Sequence, residues 1–381
     1  MSNQPTIYLD HAAATPMDSA VLAAMQPYFS DKFYNPSATY LAGRTIAEDL
    51  KTARSLVARW LGARSSEIIF TAGGTEANNL AIQGVMQTYS EGNIVASAIE
   101  HDSVLKPAEH YNHRLVKVQP DGSVNTKELN QYIDERTVLV SIGYANNEVG
   151  TIQPLKAISQ LLEEIRQERQ KRKNPLPLYF HTDACQAPAY LDLHVTRLSV
   201  DMMTLNGGKI YGPKQSGMLY VKSGVNVAPQ ILGGGQEHGL RSGTENVANI
   251  MGFATALDLV QTHRTEETRR LRVLQKLFVV ELEAKVPTAI INGSHKRRLP
   301  NNIHITMPDQ DNERLMMKLD EQGIICAVGS ACSASKEEPS HVLGAIGLSD
   351  KEAQASLRFT MGRQTTAAAI RRAVGVLASS L

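Results

Sequence analysis

Short runs of β-branched and other apolar residues recur along the chain, each followed by a polar or glycine-rich turn and then by helical periodicity. Glu67-Ile68-Ile69-Phe70 leads into Thr71-Ala72-Gly73-Gly74-Thr75 and then into a predicted helix over about 76–87. Asn93-Ile94-Val95-Ala96-Ser97 passes through Glu100-His101-Asp102 into another. A run over 137–142 ends at Asn146-Asn147-Glu148, and one over 178–181 ends at Thr182-Asp183. Alternation of this kind implies right-handed crossovers and a mostly parallel sheet, hence an α/β fold. Such sheets bind ligands beyond the carboxyl ends of their strands, where this chain places its least ordinary residues. From about Gly252 the texture changes to one long helix through Gln275 and Glu283, a strand at Asn302-Ile303-His304-Ile305 and a helix over 310–322. That change marks a smaller α+β domain.

Composition narrows the class. With 381 residues, 42% of them apolar and 20% charged, the chain reads as a soluble globular protein of two domains. Its 39 basic and 38 acidic side chains leave a net charge of +1, which argues against nucleic acid or an anionic membrane as a ligand. The three cysteines, Cys185, Cys326 and Cys332, form no C-x-x-C pair, so neither a disulfide framework nor a four-cysteine zinc site is expected, and no metal is assigned. Met1 to Asp10 lacks the regions of a signal peptide, and no apolar run approaches the ~20 residues that cross a bilayer. The expectation is a reduced, cytoplasmic protein. The charged stretch over 163–173 reads as a solvated helix face, and His295-Lys296-Arg297-Arg298 as a surface loop.

Four segments carry chemistry. Two glycines at the strand-to-helix turn Thr71-Ala72-Gly73-Gly74-Thr75-Glu76 let backbone N–H groups approach an anion such as a phosphate; the plainer alternative is a glycine turn with Thr75 as N-cap. Asp183 at a strand end and Lys209, within Asn206-Gly207-Gly208-Lys209-Ile210-Tyr211-Gly212, form the pair that a pyridoxal phosphate enzyme needs. The lysine bonds covalently to the cofactor, and the carboxylate keeps the pyridine nitrogen protonated. Cys332, within Gly329-Ser330-Ala331-Cys332-Ser333-Ala334-Ser335, lacks apolar neighbours and reads as a nucleophile on a solvated loop, whereas Cys185 and Cys326 read as packing. Arg358, within Ser356-Leu357-Arg358-Phe359, suits either a substrate carboxylate or a structural ion pair with an Asp or Glu.

In their order along the chain these segments resemble the cysteine desulfurases of the NifS/IscS kind, in the class V aminotransferase group. Tyr8-Leu9-Asp10-His11-Ala12-Ala13 is similar to the family's opening signature, and Asn35-Pro36-Ser37 to its early substrate loop. Other matches are Glu100-His101, Asn146-Asn147-Glu148-Val149-Gly150, His181-Thr182-Asp183-Ala184-Cys185-Gln186, Lys209-Ile210-Tyr211-Gly212-Pro213-Lys214 and Arg241-Ser242-Gly243-Thr244. The resemblance implies a transferase of fold type I. Its large domain, with a mostly parallel seven-stranded sheet, would span 15–255; a small α+β domain carrying the cysteine loop would take 1–14 and 256–381. Lys209, Cys332 and His101 would be catalytic. The cofactor, pyridoxal 5'-phosphate, would contact Gly74, Thr75, His101, Asn147, Asp183, Gln186, Asn206, Gly207, Gly208, Lys209 and Thr244. Asn35, Asn147 and Arg358 would bind the substrate.

The activity that the resemblance implies is conversion of L-cysteine to L-alanine with a persulfide left on Cys332. The chain would act as a homodimer in which Thr244 reaches the partner subunit's phosphate. The sulfur would pass to an acceptor such as an iron–sulfur scaffold, with Cys332 able to ligate a nascent cluster in that complex, or to tRNA thiolation. Alternatives are a selenocysteine lyase or another class V lyase, and a cofactor-poor adaptor for sulfur transfer. Two departures bear on this. Where the family has Ser-Gly-His before its lysine, this chain has Asn206, Gly207 and Gly208, which predicts weaker cofactor affinity with activity retained. The chain stops at Leu381, soon after the last helix, which places scaffold docking in question.

Overall fold

The structure, a computed structural model, describes residues 5–329 and 339–381. Its strands are β1 (Ile7–Tyr8), β2 (Ile68–Thr71), β3 (Asn93–Ser97), β4 (His113–Val116), β5 (Thr137–Ser141), β6 (Tyr179–Asp183), β7 (Met202–Asn206), β8 (Gly217–Val221), β9 (Ile290–Ile291), β10 (Asn302–Thr306), β11 (Ile324–Ile325) and β12 (Ser356–Thr360). β2 to β8 form one seven-stranded sheet in the order β2-β8-β7-β6-β5-β3-β4. Strands β7, β6, β5, β3 and β4 pair in parallel, and β8 runs antiparallel to both β7 and β2. The mostly parallel seven-stranded sheet expected from the sequence is therefore present.

Alternation along the strands puts two cores on opposite faces of this sheet. Ile68, Phe70, Val95 and Val140 pack into one core with residues of helices Leu41–Leu61 and Val247–Thr262. Ile69, Ile94, Ala96 and Val138 pack into the other with Ala77, Leu80 and Val85 of helix Gly74–Thr88 and Val104 of helix Asp102–Glu109. Burial on both faces explains why β5 reads as an unbroken run, Thr-Val-Leu-Val-Ser. A third core gathers Leu9, the helix Arg264–Lys285, strands β10 and β12, and the helix Ala367–Ser379. Residues Val342, Leu343, Ile346 and Ala353, late in the chain, return to the first core.

Three local expectations are corrected. The long helix expected through Gln275 is two helices, Val247–Thr262 and Arg264–Lys285, separated at His263, because the first packs on the large sheet's core and the second on the third core. Arg298 is no surface residue: it is 4% exposed, and its guanidinium donates to Ser294 O, Asn292 O and Asn302 Oδ1. In the charged helix Leu155–Lys171, Arg169 is buried and donates to Pro177 O and Asp134 O, so only part of that face is solvated. Among the described residues no helix is long and apolar enough to cross a membrane.

Candidate active site

Five strand ends converge on one cavity. It is lined by Gly74 and Thr75 after β2, Glu100 and His101 after β3, Asn146 and Asn147 after β5, Asp183 and Gln186 after β6, and Asn206 and Lys209 after β7, with Arg358 from β12 closing one side. The N-cap of helix Gly74–Thr88 is Gly73 at φ 141°, a conformation open only to glycine, and not Thr75. Gly217 of β8 passes so close that a Cβ there would lie 2.7 Å from the Gly73 carbonyl carbon. The turn thus leaves backbone N–H groups at a helix N-terminus, the geometry that receives an anion.

Asp183 is fixed at the tip of β6. Its Oδ1 accepts the Cys185 N–H at 2.9 Å and its Oδ2 accepts the Asn78 amide at 2.7 Å. The Lys209 ammonium donates to Ala13 O at 2.6 Å, and Gln186 donates to Ala12 O at 3.1 Å, so the N-terminal segment covers the lysine. His101 is the N-cap of helix Asp102–Glu109, with Nδ1 accepting the Ser103 N–H at 3.0 Å. Arg358 is 1% exposed; it donates to Asp10 Oδ1 at 2.7 Å and to Asn147 O at 3.1 Å. The ion-pair alternative is thus realised with Asp10, while the same side chain borders the cavity.

Two buried carboxyl groups stand behind this wall. Glu100 accepts the Gly143 N–H at 2.9 Å, and burial, reinforced by the Asp183 charge, pushes its carboxyl up to about 8. Burial likewise raises Glu148, whose carboxylate accepts the Ser340 hydroxyl at 2.7 Å. His341 contacts Glu100 O through Nε2 at 2.9 Å. Cys332 lies outside the described residues; Ser340 and His341, which come after its segment, are tied to residues of the cavity wall.

Not every expected residue lines the cavity. Asn35 is exposed, and its Oδ1 accepts the Ser37 N–H. Thr244 borders a neighbouring cavity with Thr71, Ala72, Gln215 and Arg241. Gly207 is packed against Ser216, whose Oγ would meet a Cβ at 2.1 Å. Gly208 borders a groove beside the glycine turn, and its N–H is taken by Asn206 Oδ1 at 2.9 Å. Cys185 is corrected: it borders the cavity, with its thiol pushed well up by burial and by Asp183. Sequence reasoning missed Asn78 and Ser103, and it named Glu100 beside His101 without giving it a role. For Asn78 the available signal was its place one helical turn after Thr75, on the same face.

Residues 7–372 match the family model described as aminotransferase class-V. The chain is 39% identical over 368 residues to a cysteine desulfurase IscS of Dictyoglomus turgidum, covering 94% of this chain and 90% of that protein. It is 37% identical to cysteine desulfurase IscS 1 of Archaeoglobus fulgidus, covering 97% and 95%. Among solved structures, a NifS-like protein superposes with a TM-score of 0.89 at 30% identity, covering 98% of each chain. A structure described as SspA in complex with cysteine gives 0.81 at 33% identity, covering 93% and 99%. With the family model over residues 7–372 and relatives of about 37–39% identity along almost the whole chain, the chain belongs to the class-V aminotransferases, among the cysteine desulfurases of the IscS and NifS kind.

Proposed function

We propose that this protein is a pyridoxal 5'-phosphate-dependent cysteine desulfurase, converting L-cysteine to L-alanine with the sulfur retained as a persulfide on Cys332. The observation that carries this is the meeting of Asp183, His101, Lys209 and Arg358 in one cavity beside the glycine turn. These residues fit the cofactor: an anion-receiving turn at one end, a doubly held carboxylate at another, and an amine between them. When bound, the cofactor supplies an electron sink for charge developing at the substrate's α-carbon.

Gly74, Thr75 and the Asn206 amide would hold the phosphate, with Gly207 and Gly208 shaping the backbone around it. Asp183 would keep the pyridine nitrogen protonated, Gln186 would serve a ring oxygen, and His101 would lie against the ring. Arg358 orients the substrate carboxylate beside Asn147. The Lys209 amine would take the α-proton as general base. The Cys332 thiolate would attack the substrate sulfur; as the S–S bond forms the Cβ–S bond breaks, its electron pair stays on carbon, Cβ takes up a proton in place of the sulfur, Lys209 returns the α-proton, and alanine leaves. Thr244 and Asn35 lie outside this chain's own cavity, which supports a homodimer in which each serves the neighbouring site. Leu22, Phe29, Phe33, Tyr40, Leu41 and Leu232 are exposed apolar side chains that a second copy would cover. The division into 15–255 and 1–14 with 256–381, a cytoplasmic setting, and delivery of sulfur to an iron–sulfur scaffold that Cys332 enters as a transient ligand complete the proposal.

Incubation with cysteine, with and without added cofactor, tests it by measuring alanine and sulfide. Alanine formation dependent on the cofactor and abolished by Cys332→Ala is expected. Full alanine formation by Cys332→Ala would exclude the thiol mechanism and favour a lyase acting on selenocysteine.

A further inference from the structure

We infer that Asn78 is a positioning residue: its amide reads the charge of Asp183 and, through the Ser103 hydroxyl, holds His101 in the tautomer that carries its proton on Nε2. The inference rests on the cofactor site proposed above and adds to it the internal wiring of its walls.

Asn78 lies in helix Gly74–Thr88 and is fully buried. Its Nδ2 is 2.7 Å from Asp183 Oδ2 and 2.8 Å from Ser103 Oγ. An amide nitrogen has two hydrogens and no acceptor capacity, so both contacts are donations and both hydrogens are used. Ser103 Oγ therefore accepts from Asn78 and has one hydrogen left to give. It gives it to His101 Nδ1 at 2.8 Å. The Ser103 N–H donates to that same nitrogen at 3.0 Å. A ring nitrogen that accepts two donors carries no hydrogen, and the proton of the neutral imidazole is left on Nε2.

The orientation of Asn78 is the informative part. Its Oδ1 is buried and finds no donor among the described residues. An asparagine with a merely structural task would turn its oxygen toward the Ser103 hydroxyl and satisfy it. That turn would press Oδ1 against Asp183 Oδ2, two acceptors with no hydrogen between them. The unsatisfied oxygen is thus the cost of donating to the Asp183 carboxylate. Proton placement on His101, on one wall of the cavity, is coupled in this way to the charge of Asp183 on another. Neither Asn78 nor Ser103 needs to touch the reacting atoms to exert this effect.

Histidine-labelled protein, free of cofactor, provides a direct readout through the 15N resonances of its imidazoles. Wild type is expected to show His101 with Nδ1 unprotonated and Nε2 protonated. Asn78→Leu and, as a smaller excision, Ser103→Ala weaken or remove one of the two donors to Nδ1 and are expected to raise the share of the Nδ1–H tautomer without inverting the ratio, because the Ser103 N–H still donates to Nδ1. With cofactor loaded, kcat is expected to fall about tenfold, the scale of one neutral hydrogen bond, with KM for cysteine nearly unchanged because Arg358 is untouched. A wild-type Nδ1–H tautomer, or variants that fold and keep the wild-type tautomer ratio, would overturn the inference. Because the tautomer is measured without cofactor, failure of the wild type to take up cofactor would count against the enzyme proposal and not against this one.

Discussion

Replacing Glu100 by Gln should flatten the pH dependence of stability, and the size of the effect can be worked from the structure. The carboxyl is 5% exposed, accepts one backbone N–H, and is pushed by burial from 4.5 up to about 8. The folded chain therefore holds this proton up to about pH 8, while the unfolded chain releases it near 4.5. Between those values the folded state binds more protons, so its stability falls as pH rises. The contribution is complete below the unfolded value and is lost as pH climbs through the folded one. At about 1.36 kcal/mol per pH unit, the interval sets a ceiling of ~5 kcal/mol. Glutamine keeps an oxygen for the Gly143 N–H and cannot ionise. Urea unfolding of the cofactor-free protein at pH 5.5 and 8.5 should show Glu100→Gln only about 1.4 kcal/mol ahead of wild type at the lower pH, one unit above the unfolded value. At the higher pH the variant should be the more stable by several kcal/mol. Other titrating groups, among them Glu148 with its raised carboxyl, are common to both proteins and cancel in the double difference. Parallel pH slopes for the two proteins would refute the reasoning.

Glu237 makes a bidentate contact with Arg54 at 2.6 and 2.7 Å and accepts the Phe70 N–H at 2.8 Å, with its side chain 3% exposed. Glu237→Gln removes the counter-charge of a guanidinium that is 13% exposed and should cost about 3 kcal/mol in urea unfolding; a loss below ~1 kcal/mol would show that solvent replaces the pair. Gly74→Ala would put a Cβ 2.7 Å from Cys185 Sγ, an overpacking cost of ~1–3 kcal/mol that Cys185→Ala should relieve. Thermal melts of the single and double variants check this, and absence of rescue would locate the strain elsewhere. A Cβ on Gly208 meets only ordinary contacts, Asn206 Oδ1 at 3.4 Å and Lys214 Cγ at 3.7 Å, so a side chain fits. Gly208→His should then tighten cofactor binding by ~1.5–3 kcal/mol in a spectroscopic titration of the apoprotein; unchanged affinity would mean that the glycine replaces no lost donor.

The strands of the large sheet were legible because burial on both faces turns each into a short apolar run, and the polar residues at their carboxyl ends sit where such sheets bind ligands. What the pattern hid is of one kind: contacts between distant segments. Helical periodicity continues across His263, so nothing local shows that Val260 and Leu271 face different cores. Arg169 and Arg298 read as solvated cations because their acceptors are backbone carbonyls, which every residue has, with one asparagine amide oxygen beside them for Arg298. Asn78 carries no mark of its own in the sequence, and only the Asp183 and Ser103 partners give it a task.

The N-terminal segment makes the same point with more at stake. Sequence alone left Arg358 between a substrate clamp and an ion pair, and its Asp10 contact makes the two compatible. An arginine has five N–H donors in a planar fork, so one carboxylate held from behind fixes the plane without exhausting it. Three residues beyond Asp10, Ala13 O accepts the Lys209 ammonium, and Thr15 bonds to Gly208 O. His11 contacts Thr360 O, at the end of the strand that carries Arg358. One short segment therefore spaces the arginine of the third core's sheet against the lysine of the large sheet. A shift of the third core relative to the large sheet has to strain that segment or take Arg358 away from Lys209. Under the proposed mechanism this spacing is the distance between a substrate's carboxylate and the base that takes its α-proton, so the opening residues act as a ruler for the site.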